Sequence, residues 1–331
     1  MSTARVAGTG MFLATGFGTG TEQVWQAVCQ GDTAIGRCPD LTDVLAARLP
    51  AAPATAAQLI EQAGRGALRH AALDPAALDP AALDPASLDP YEIGLTLGTN
   101  AESERLWFDY RSASDTHPEH REHHDHPAHT CADRLGAAIG SRGPKAVFTT
   151  GCIASANANA IGHAYDVIAE RRATVMLVGG YEALNLTTVA TFASWKAIDP
   201  APCAPYGRSG GLNLGEAVAF LVLEAEESAR VRRAPVHAYV LGYGLAGDAH
   251  HVTAPPPDGA GLRTAMLGAL ADAVLTPDAV GYANGHGTGT PANDTAELSA
   301  MRPAMWRSIA TPERTDAFLE ALRQQAPVPA P

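Results

Sequence analysis

The positions of apolar residues predict strands and helices that alternate along most of the chain. Residues 4–30 have the pattern of a strand, a glycine-rich turn and a helix. Further strands are predicted at apolar runs of suitable length, at residues 91–97, 145–150, 174–178, 217–223, 237–241 and 280–283. Helical spacing predicts helices at residues 54–72, 132–140, 155–171 and 261–274, the last of them amphipathic. Such alternation, with strongly apolar strands, is typical of a layered α/β fold.

Within the predicted helix at residues 155–171, the spacing places Ala158, Ile161, Tyr165 and Ile168 on one apolar face. The strand at residues 174–178 is predicted to be buried and to end at Gly179 and Gly180.

Two segments interrupt the alternating pattern. Between residues 73 and 90, leucine recurs every five residues and is followed each time by Asp-Pro, which fits neither a helix nor a strand. We interpret this repeat as a surface loop. The second segment is rich in histidine, and such tracts can bind transition metals. It lacks a fixed ligand spacing, so we favour a solvated loop and predict no metal site. Its histidines are His117, His120, His123, His124, His126 and His129.

Charge and cysteine content restrict the classes of function. The net charge of −12 argues against a nucleic-acid partner, which requires a basic surface. No apolar run is long enough to span a bilayer, and the first residues lack the pattern of a signal peptide. The five cysteines form no CxxC pair, which favours free thiols in a reducing compartment. We therefore expect a cytoplasmic protein without a membrane or nucleic-acid partner.

Cys152 lies at a predicted strand-to-helix junction, in the sequence AVFTTGCIASANANAIG. The first N–H groups of a helix lack intrahelical acceptors and carry the positive end of the helix dipole. They favour a thiolate at this position and can donate hydrogen bonds to the oxyanion of an attacked thioester. A single cysteine in an alanine-rich segment is also common as a small buried apolar residue. The junction is therefore compatible with a nucleophile or with a packing residue.

His286 lies in a second segment of interest, YANGHGTGTPANDTAE, which follows the predicted strand at residues 280–283. A histidine in a glycine-rich turn can donate a hydrogen bond to a carbonyl oxygen, transfer a proton or form a structural hydrogen bond. The small Gly287 and Gly289 would let a ligand approach the backbone. The hydroxyl groups of Thr288 and Thr290 can bind a polar arm of such a ligand.

Five segments resemble the β-ketoacyl-[acyl-carrier-protein] synthases in their order and approximate spacing. These segments are TTGCIASANANAIG, LVGGYEAL, RSGGLNLGEAVAFLVLE, LGYGLAGDAHHVTAP and NGHGTGTPANDTAE. The resemblance implies an α/β, thiolase-like layered αβαβα fold, usually dimeric, with an incomplete second half. The N-terminal half would be residues 1–225 and carry Cys152. A partial C-terminal half would be residues 226–301 and carry His286, and residues 302–331 would be a divergent helical or disordered tail.

The same resemblance implies roles for individual residues. Cys152 would accept an acyl group from an acyl carrier protein as a thioester. His286 would assist decarboxylation of a malonyl-type extender and stabilise the enolate. Thr288 and Thr290 would contact the phosphopantetheine arm. The acidic Asp294 and Glu297 would be structural or would support the residues that contact the substrate. No bound cofactor is implied, because the substrates are carried on the phosphopantetheine of the acyl carrier protein. The implied partners are that carrier protein and a second ketosynthase-type subunit, identical or different, in polyketide or fatty-acid biosynthesis.

The resemblance is weaker beyond Glu297. The lysine of the family, a second histidine in a GHTLGAAG-like segment and a late Gly-Phe-Gly-Gly loop have no counterpart in this sequence. The segment from Cys203 to Gly215 resembles another loop of the family in a shortened form. We therefore expect a C-terminally truncated synthase that loads an acyl group on Cys152. Two alternatives remain: a non-catalytic subunit that pairs with a complete ketosynthase, and a Cys–His acyltransferase or thioesterase that does not condense.

Overall fold

The computed structural model describes residues 5–50, 56–73, 88–99, 129–207, 210–251 and 253–309. Within these residues the chain divides into two compact units. The first contains the chain up to Val24 together with Ala34–Lys196 and Leu214–Leu241. The second contains Trp25–Thr33, Ala197–Asn213 and the chain from Gly242 onward. The division after residue 225 that the sequence suggested stays a prediction.

The order of helices and strands confirms the predicted α/β class. The strands are β1 (Val6–Thr15), β2 (Gly18–Thr19), β3 (Gly36–Cys38), β4 (Val44–Ala47), β5 (Ile93–Gly98), β6 (Lys145–Phe148), β7 (Val175–Glu182), β8 (Leu214–Gly215), β9 (Ala217–Ala225) and β10 (Ala238–Val240). The helices are α1 (Thr21–Gln30), α2 (Ala56–His70), α3 (His129–Ala138), α4 (Ile153–Ala169), α5 (Leu186–Ser194), α6 (Glu226–Val231), α7 (Ala260–Asp272) and α8 (Pro291–Ile309). Within the described residues, each predicted helix is present, and so is each predicted strand except the one at residues 280–283.

A mixed sheet of seven strands forms the centre of the first unit as far as the structure describes it. Its order is β10-β1-β9-β7-β5-β6, and β2 pairs with β1. β5 runs parallel to both of its neighbours, β6 and β7, while β7, β9 and β1 alternate in direction. All residues of β5 are buried, as expected for a central parallel strand covered on both faces. β3, β4 and β8 form a smaller three-stranded sheet in the same unit.

Helices cover both faces of the large sheet. Leu177 of β7 belongs to an apolar cluster that includes Ala67 of α2 and Leu135 of α3. The next residue of the strand, Val178, belongs to a second cluster that includes Val167 of α4. Successive side chains of a strand point to opposite faces. The first unit therefore has α2 and α3 on one side of the sheet and α4 on the other.

The face of α4 that packs on the sheet differs from the predicted one. Ala158 is exposed, and Ile161 and Tyr165 are only partly buried. Of the predicted face, Ile168 alone is fully buried. The buried residues of the helix are Ala156, Ala160, Gly162, Ala164, Val167 and Ile168. Small residues at every fourth position let α4 approach the sheet closely, and this close packing determines the buried face more than the bulk of Ile161 and Tyr165 does.

β7 is longer than predicted because its two glycines continue the strand. Gly179 and Gly180 pair with Leu97 and Gly98 of β5. A methyl group at Gly179 would overlap the ring of Phe220 on the neighbouring strand. These glycines therefore serve close packing inside the sheet, and the prediction that the strand ends at them is wrong.

The second unit is built around α7 and α8. Ala296 and Ala300 of α8 are buried, and Gly259 at the start of α7 lies against them. Within the described helix α7 only Leu270 is buried, so the predicted amphipathic face is mostly part-exposed. Residues 280–283 do not form the predicted strand. Val280 has extended backbone angles, but no strand in the described part of the chain pairs with it.

Several predictions fall outside the described residues. They include most of the Leu-Asp-Pro repeat, the histidines from His117 to His126, and the tail beyond residue 309. His129, the last histidine of that cluster, begins α3. No described helix has the length and apolar character needed to cross a membrane.

Candidate functional site

Cys152 lies in the first unit, between the end of β6 and the start of α4, as the sequence predicted. It has extended backbone angles, φ −140° and ψ 124°, and directly precedes the first helical residue, Ile153. The residue is half-buried and is not in a disulfide. Its side chain does not cap α4. The thiol therefore does not itself occupy the first N–H groups of the helix, which have no intrahelical acceptors.

The carbonyl oxygen of Cys152 anchors this junction. It accepts a hydrogen bond from the N–H of Ala156 at 3.0 Å, the first bond of α4. It also accepts from the hydroxyl of Ser155 at 2.9 Å and from that of Thr150 at 3.2 Å. The two hydroxyl oxygens are 2.6 Å apart. Hydroxyl groups before and after Cys152 therefore hold its backbone in one conformation.

Two glycines determine how closely the start of α4 approaches the sheet. A methyl group at Gly98 of β5 would lie 2.5 Å from the backbone nitrogen of Asn157. A methyl group at Gly180 of β7 would overlap the side-chain amide of the same residue. Asn157 is in the second turn of α4, one turn after Cys152. The absence of side chains at these two positions therefore positions the cysteine relative to the strands.

His286 lies in the second unit, in a loop that ends at the start of α8. The loop contains Gly287 at φ +55° and Gly289 at φ +79°. Both values lie in the left-handed region, which glycine adopts without a steric cost and other residues rarely adopt. His286 is exposed. The two glycines therefore allow a backbone conformation on either side of Thr288 that other residues would adopt only with strain.

Thr288 and Thr290 are brought together by this loop. Their hydroxyl oxygens are 2.9 Å apart, and the N–H of Thr290 donates to the hydroxyl of Thr288 at 3.3 Å. Pro291 then begins α8, at a position where its fixed φ suits the first helical turn. The structure thus places the hydroxyl groups of the two predicted threonines next to each other within the loop of His286.

Two carboxylates of α8 hold the backbone of the loop. Glu297, which is only 2% exposed, accepts hydrogen bonds from the N–H of His286 and, at 2.9 Å, from that of Gly287. Asp294 accepts from the N–H of Gly289 at 3.2 Å. The expectation from the resemblance, that these acidic residues are structural or supporting, agrees with these contacts.

Tyr206 is a residue of this site that the sequence did not indicate. Its hydroxyl donates to Glu297 at 2.6 Å and its backbone N–H donates to Asp294 at 2.6 Å. Burial raises the pKa of Tyr206 strongly, and the hydrogen bond and negative charge of Glu297 raise it further. About ninety positions separate the two partners, so no local pattern could have linked them.

The structure brings some of the predicted residues together. His286, Thr288 and Thr290 form one loop of the second unit, and Cys152 belongs to the first. The cooperation of Cys152 with His286 stays a prediction, as do the individual roles of the four residues. Among the described residues, no group of three or more His, Cys, Asp or Glu side chains is arranged to hold a metal ion.

Two family models match the sequence. The model described as Beta-ketoacyl synthase, N-terminal domain, matches residues 3–229. The model described as Beta-ketoacyl synthase, C-terminal domain, matches residues 237–314. Cys152 lies within the first match, and the loop of His286 lies within the second.

Curated relatives match part of the chain. The 3-oxoacyl-[acyl-carrier-protein] synthase 2 of Staphylococcus aureus is 37% identical over 172 residues, which are 50% of this chain and 42% of that protein. The protein of the same name from Synechocystis sp. is 39% identical over 175 residues, again 50% of this chain and 42% of the relative. The match therefore spans less than half the length of these relatives.

Solved structures are similar over most of the chain. The ishigamide ketosynthase/chain length factor has a TM-score of 0.79 at 25% identity, and the match covers 92% of this chain and 78% of that one. A β-ketoacyl synthase from Burkholderia phymatum STM815 has a TM-score of 0.80 at 26% identity, with 97% and 86% covered. The predicted thiolase-like α/β fold is therefore confirmed.

Proposed function

The chain belongs to the β-ketoacyl synthase family, and on that basis we propose that it accepts an acyl group on Cys152 for decarboxylative condensation. The donor is an acyl thioester carried on the phosphopantetheine of an acyl carrier protein. The observation that carries this proposal is the position of Cys152 directly before the first helical residue of α4. No bound cofactor is needed for the step.

Loading transfers the acyl group from the phosphopantetheine sulfur to the sulfur of Cys152, so one thioester is exchanged for another. The thiolate of Cys152 attacks the carbonyl carbon of the incoming thioester, and the first N–H groups of α4 donate to the oxyanion that forms. The carbon–sulfur bond to phosphopantetheine then breaks. The phosphopantetheine sulfur leaves and takes up the proton that Cys152 lost. The half-buried position of Cys152 suits a group that must be both protected and reached by a long arm.

Condensation requires a second group, and we assign it to His286. Its ring would donate a hydrogen bond to the thioester oxygen of the malonyl-type extender. As the bond to the carboxylate breaks and carbon dioxide leaves, the electron pair forms the enolate that this hydrogen bond stabilises. The enolate carbon then attacks the acyl group on Cys152, and the thiolate is released. The adjacent hydroxyls of Thr288 and Thr290 would bind the phosphopantetheine arm.

The partners of the chain follow from the same proposal. The Staphylococcus aureus relative is named as a synthase that acts on an acyl carrier protein. This name supports a carrier protein as the donor of the acyl group. The solved ketosynthase/chain length factor supports pairing with a second ketosynthase-type subunit, identical or different. We also propose that the protein is cytoplasmic and that it takes part in polyketide or fatty-acid biosynthesis. In support, all five cysteines lie in the described part of the chain and none is in a disulfide, as in reducing compartments.

Intact-protein mass spectrometry with acyl-carrier-protein thioesters tests the loading step. We expect a covalent acyl adduct on the wild type and none on Cys152→Ala. The matched control is Cys203→Ala, because Cys203 is a second half-buried thiol outside any disulfide, and it should load normally. Absence of an adduct on the wild type would contradict the proposal and favour a non-catalytic subunit.

Release of carbon dioxide from a malonyl carrier protein tests the condensing step. We expect release by the wild type and a loss of about a hundredfold or more in His286→Ala, the range typical for removal of a positioned acid–base group. Loading of Cys152 without any release would instead favour an acyltransferase or thioesterase that does not condense.

A further inference from the structure

Tyr206 connects both carboxylates that hold the His286 loop. Its hydroxyl donates to Glu297 at 2.6 Å, and Glu297 accepts the N–H groups of His286 and Gly287. Its backbone N–H donates to Asp294 at 2.6 Å, and Asp294 accepts the N–H of Gly289. One residue of the second unit is therefore coupled to three backbone N–H groups of the loop through two acidic side chains.

The ring of Tyr206 also lies directly against the loop backbone. A methyl group at Gly285, the residue before His286, would overlap the Tyr206 hydroxyl. A methyl group at Gly287 would lie 3.5 Å from the same oxygen. The ring therefore packs along both neighbours of His286, and any shift of the ring changes the space available to that backbone.

The backbone of Tyr206 is itself in an unusual conformation. Its φ of +59° lies in the left-handed region, which bulky residues rarely adopt. Such a conformation persists only where surrounding contacts impose it, and it is most common at functional sites. In this conformation the N–H of Tyr206 donates to Asp294. In the same segment, Asp199 accepts from the N–H groups of Ala201 and Gly210, which fixes the loop on both sides of Tyr206.

We propose that Tyr206 is a positioning residue that holds His286 in place through Glu297 and Asp294. It is not a catalytic residue, because its hydroxyl is engaged by Glu297 and acts on the loop through that carboxylate. The inference rests on the proposed role of His286 in decarboxylation. It predicts that loss of the Tyr206 hydroxyl weakens the His286 step and leaves the acylation of Cys152 intact.

Tyr206→Phe tests the proposal because it removes only the hydroxyl. With malonyl carrier protein, we expect kcat for carbon dioxide release to fall about tenfold or more, the factor that loss of one hydrogen bond to a charged group typically gives. KM for the carrier protein and the rate of Cys152 acylation should stay within about twofold of the wild type. Tyr91→Phe is the matched control, since Tyr91 is an exposed tyrosine of the first unit.

Hydrogen exchange provides a readout that does not depend on activity. We expect amides 285–289 to exchange about tenfold faster in Tyr206→Phe and to be unchanged in Tyr91→Phe. Unchanged kcat and unchanged exchange would overturn the proposal. So would a parallel loss of Cys152 acylation and thermal stability, which would indicate a general structural role. If the wild type releases no carbon dioxide, the proposed function fails, and faster exchange in Tyr206→Phe would still support the positioning contact.

Discussion

Glu297 holds the backbone of the His286 loop at two consecutive residues. Its carboxylate is almost completely buried and accepts from two backbone N–H groups, those of His286 and Gly287, and from the hydroxyl of Tyr206. It also accepts from the side-chain amide of Asn293 at 3.3 Å. Glu297→Ala removes the acceptor of all four donors at once. Glu297→Gln keeps one oxygen but replaces the other with an NH2 group. That group is a hydrogen-bond donor and would face a donor that the carboxylate oxygen now accepts from.

The size of the effect follows from these contacts. Hydrogen bonds to a charged group contribute about 1.5–3 kcal/mol each. Their simple sum overstates the cost, because His286 is exposed and water can replace part of the lost acceptor. We therefore expect Glu297→Ala to destabilise the closed loop by about 3 kcal/mol, which corresponds to roughly a hundredfold increase in local opening. Glu297→Gln should have about half this effect in free energy.

Hydrogen exchange of residues 285–290 measures this opening directly. Exchange should accelerate in the order wild type, Glu297→Gln, Glu297→Ala, while exchange of the amides in α4 stays unchanged. The control is Glu227→Gln, an exposed glutamate of α6. An exchange rate in Glu297→Ala within about twofold of the wild type would refute the reasoning, because the loop would then be held by other contacts.

Two further predictions concern glycines at close approaches. Gly180→Ala would force the side chain of Asn157 away from β7, and we expect Cys152 acylation to slow by about tenfold, with a loss of about 1–3 kcal/mol of stability in urea unfolding. Gly36→Ala, whose added methyl group would meet no atom within 4 Å, should leave both quantities unchanged. Gly285→Ala would overlap the hydroxyl of Tyr206 and should accelerate exchange of the loop. The two substitutions act on one contact, so Gly285→Ala combined with Tyr206→Phe should accelerate exchange by less than the product of the two single effects. Strictly additive free energies in this double-mutant cycle would contradict the contact.

The spacing of apolar residues predicted the α/β class, because runs such as residues 91–97 and 217–223 have the length and composition of strands, and β5 and β9 are found there. The thiolase-like fold was predicted from the resemblance to the family. The two errors at β7 and α4 share one cause. Gly180 and Ala156 are small, which lets the helix approach the sheet closely. The spacing of large apolar residues does not reveal positions where a small side chain is needed for such packing.

The candidate site was predictable only in part for a similar reason. The cysteine at a strand-to-helix junction and the histidine in a glycine-rich loop are local patterns, so Cys152 and His286 could be selected. Tyr206 could not, because its role depends on contacts with α8, about ninety positions later. The strand expected at residues 280–283 needed a hydrogen-bonded neighbour, and apolar character alone does not provide one.

Cys152 is the residue that we propose accepts the acyl group. The most direct measurement is peptide mass spectrometry after incubation with an acyl carrier protein that carries a labelled acyl chain. We expect the label on the peptide that contains Cys152, removed by hydroxylamine as a thioester and absent from Cys152→Ala. Label on Cys203 in place of Cys152, or no label on a folded wild-type protein, would contradict the account.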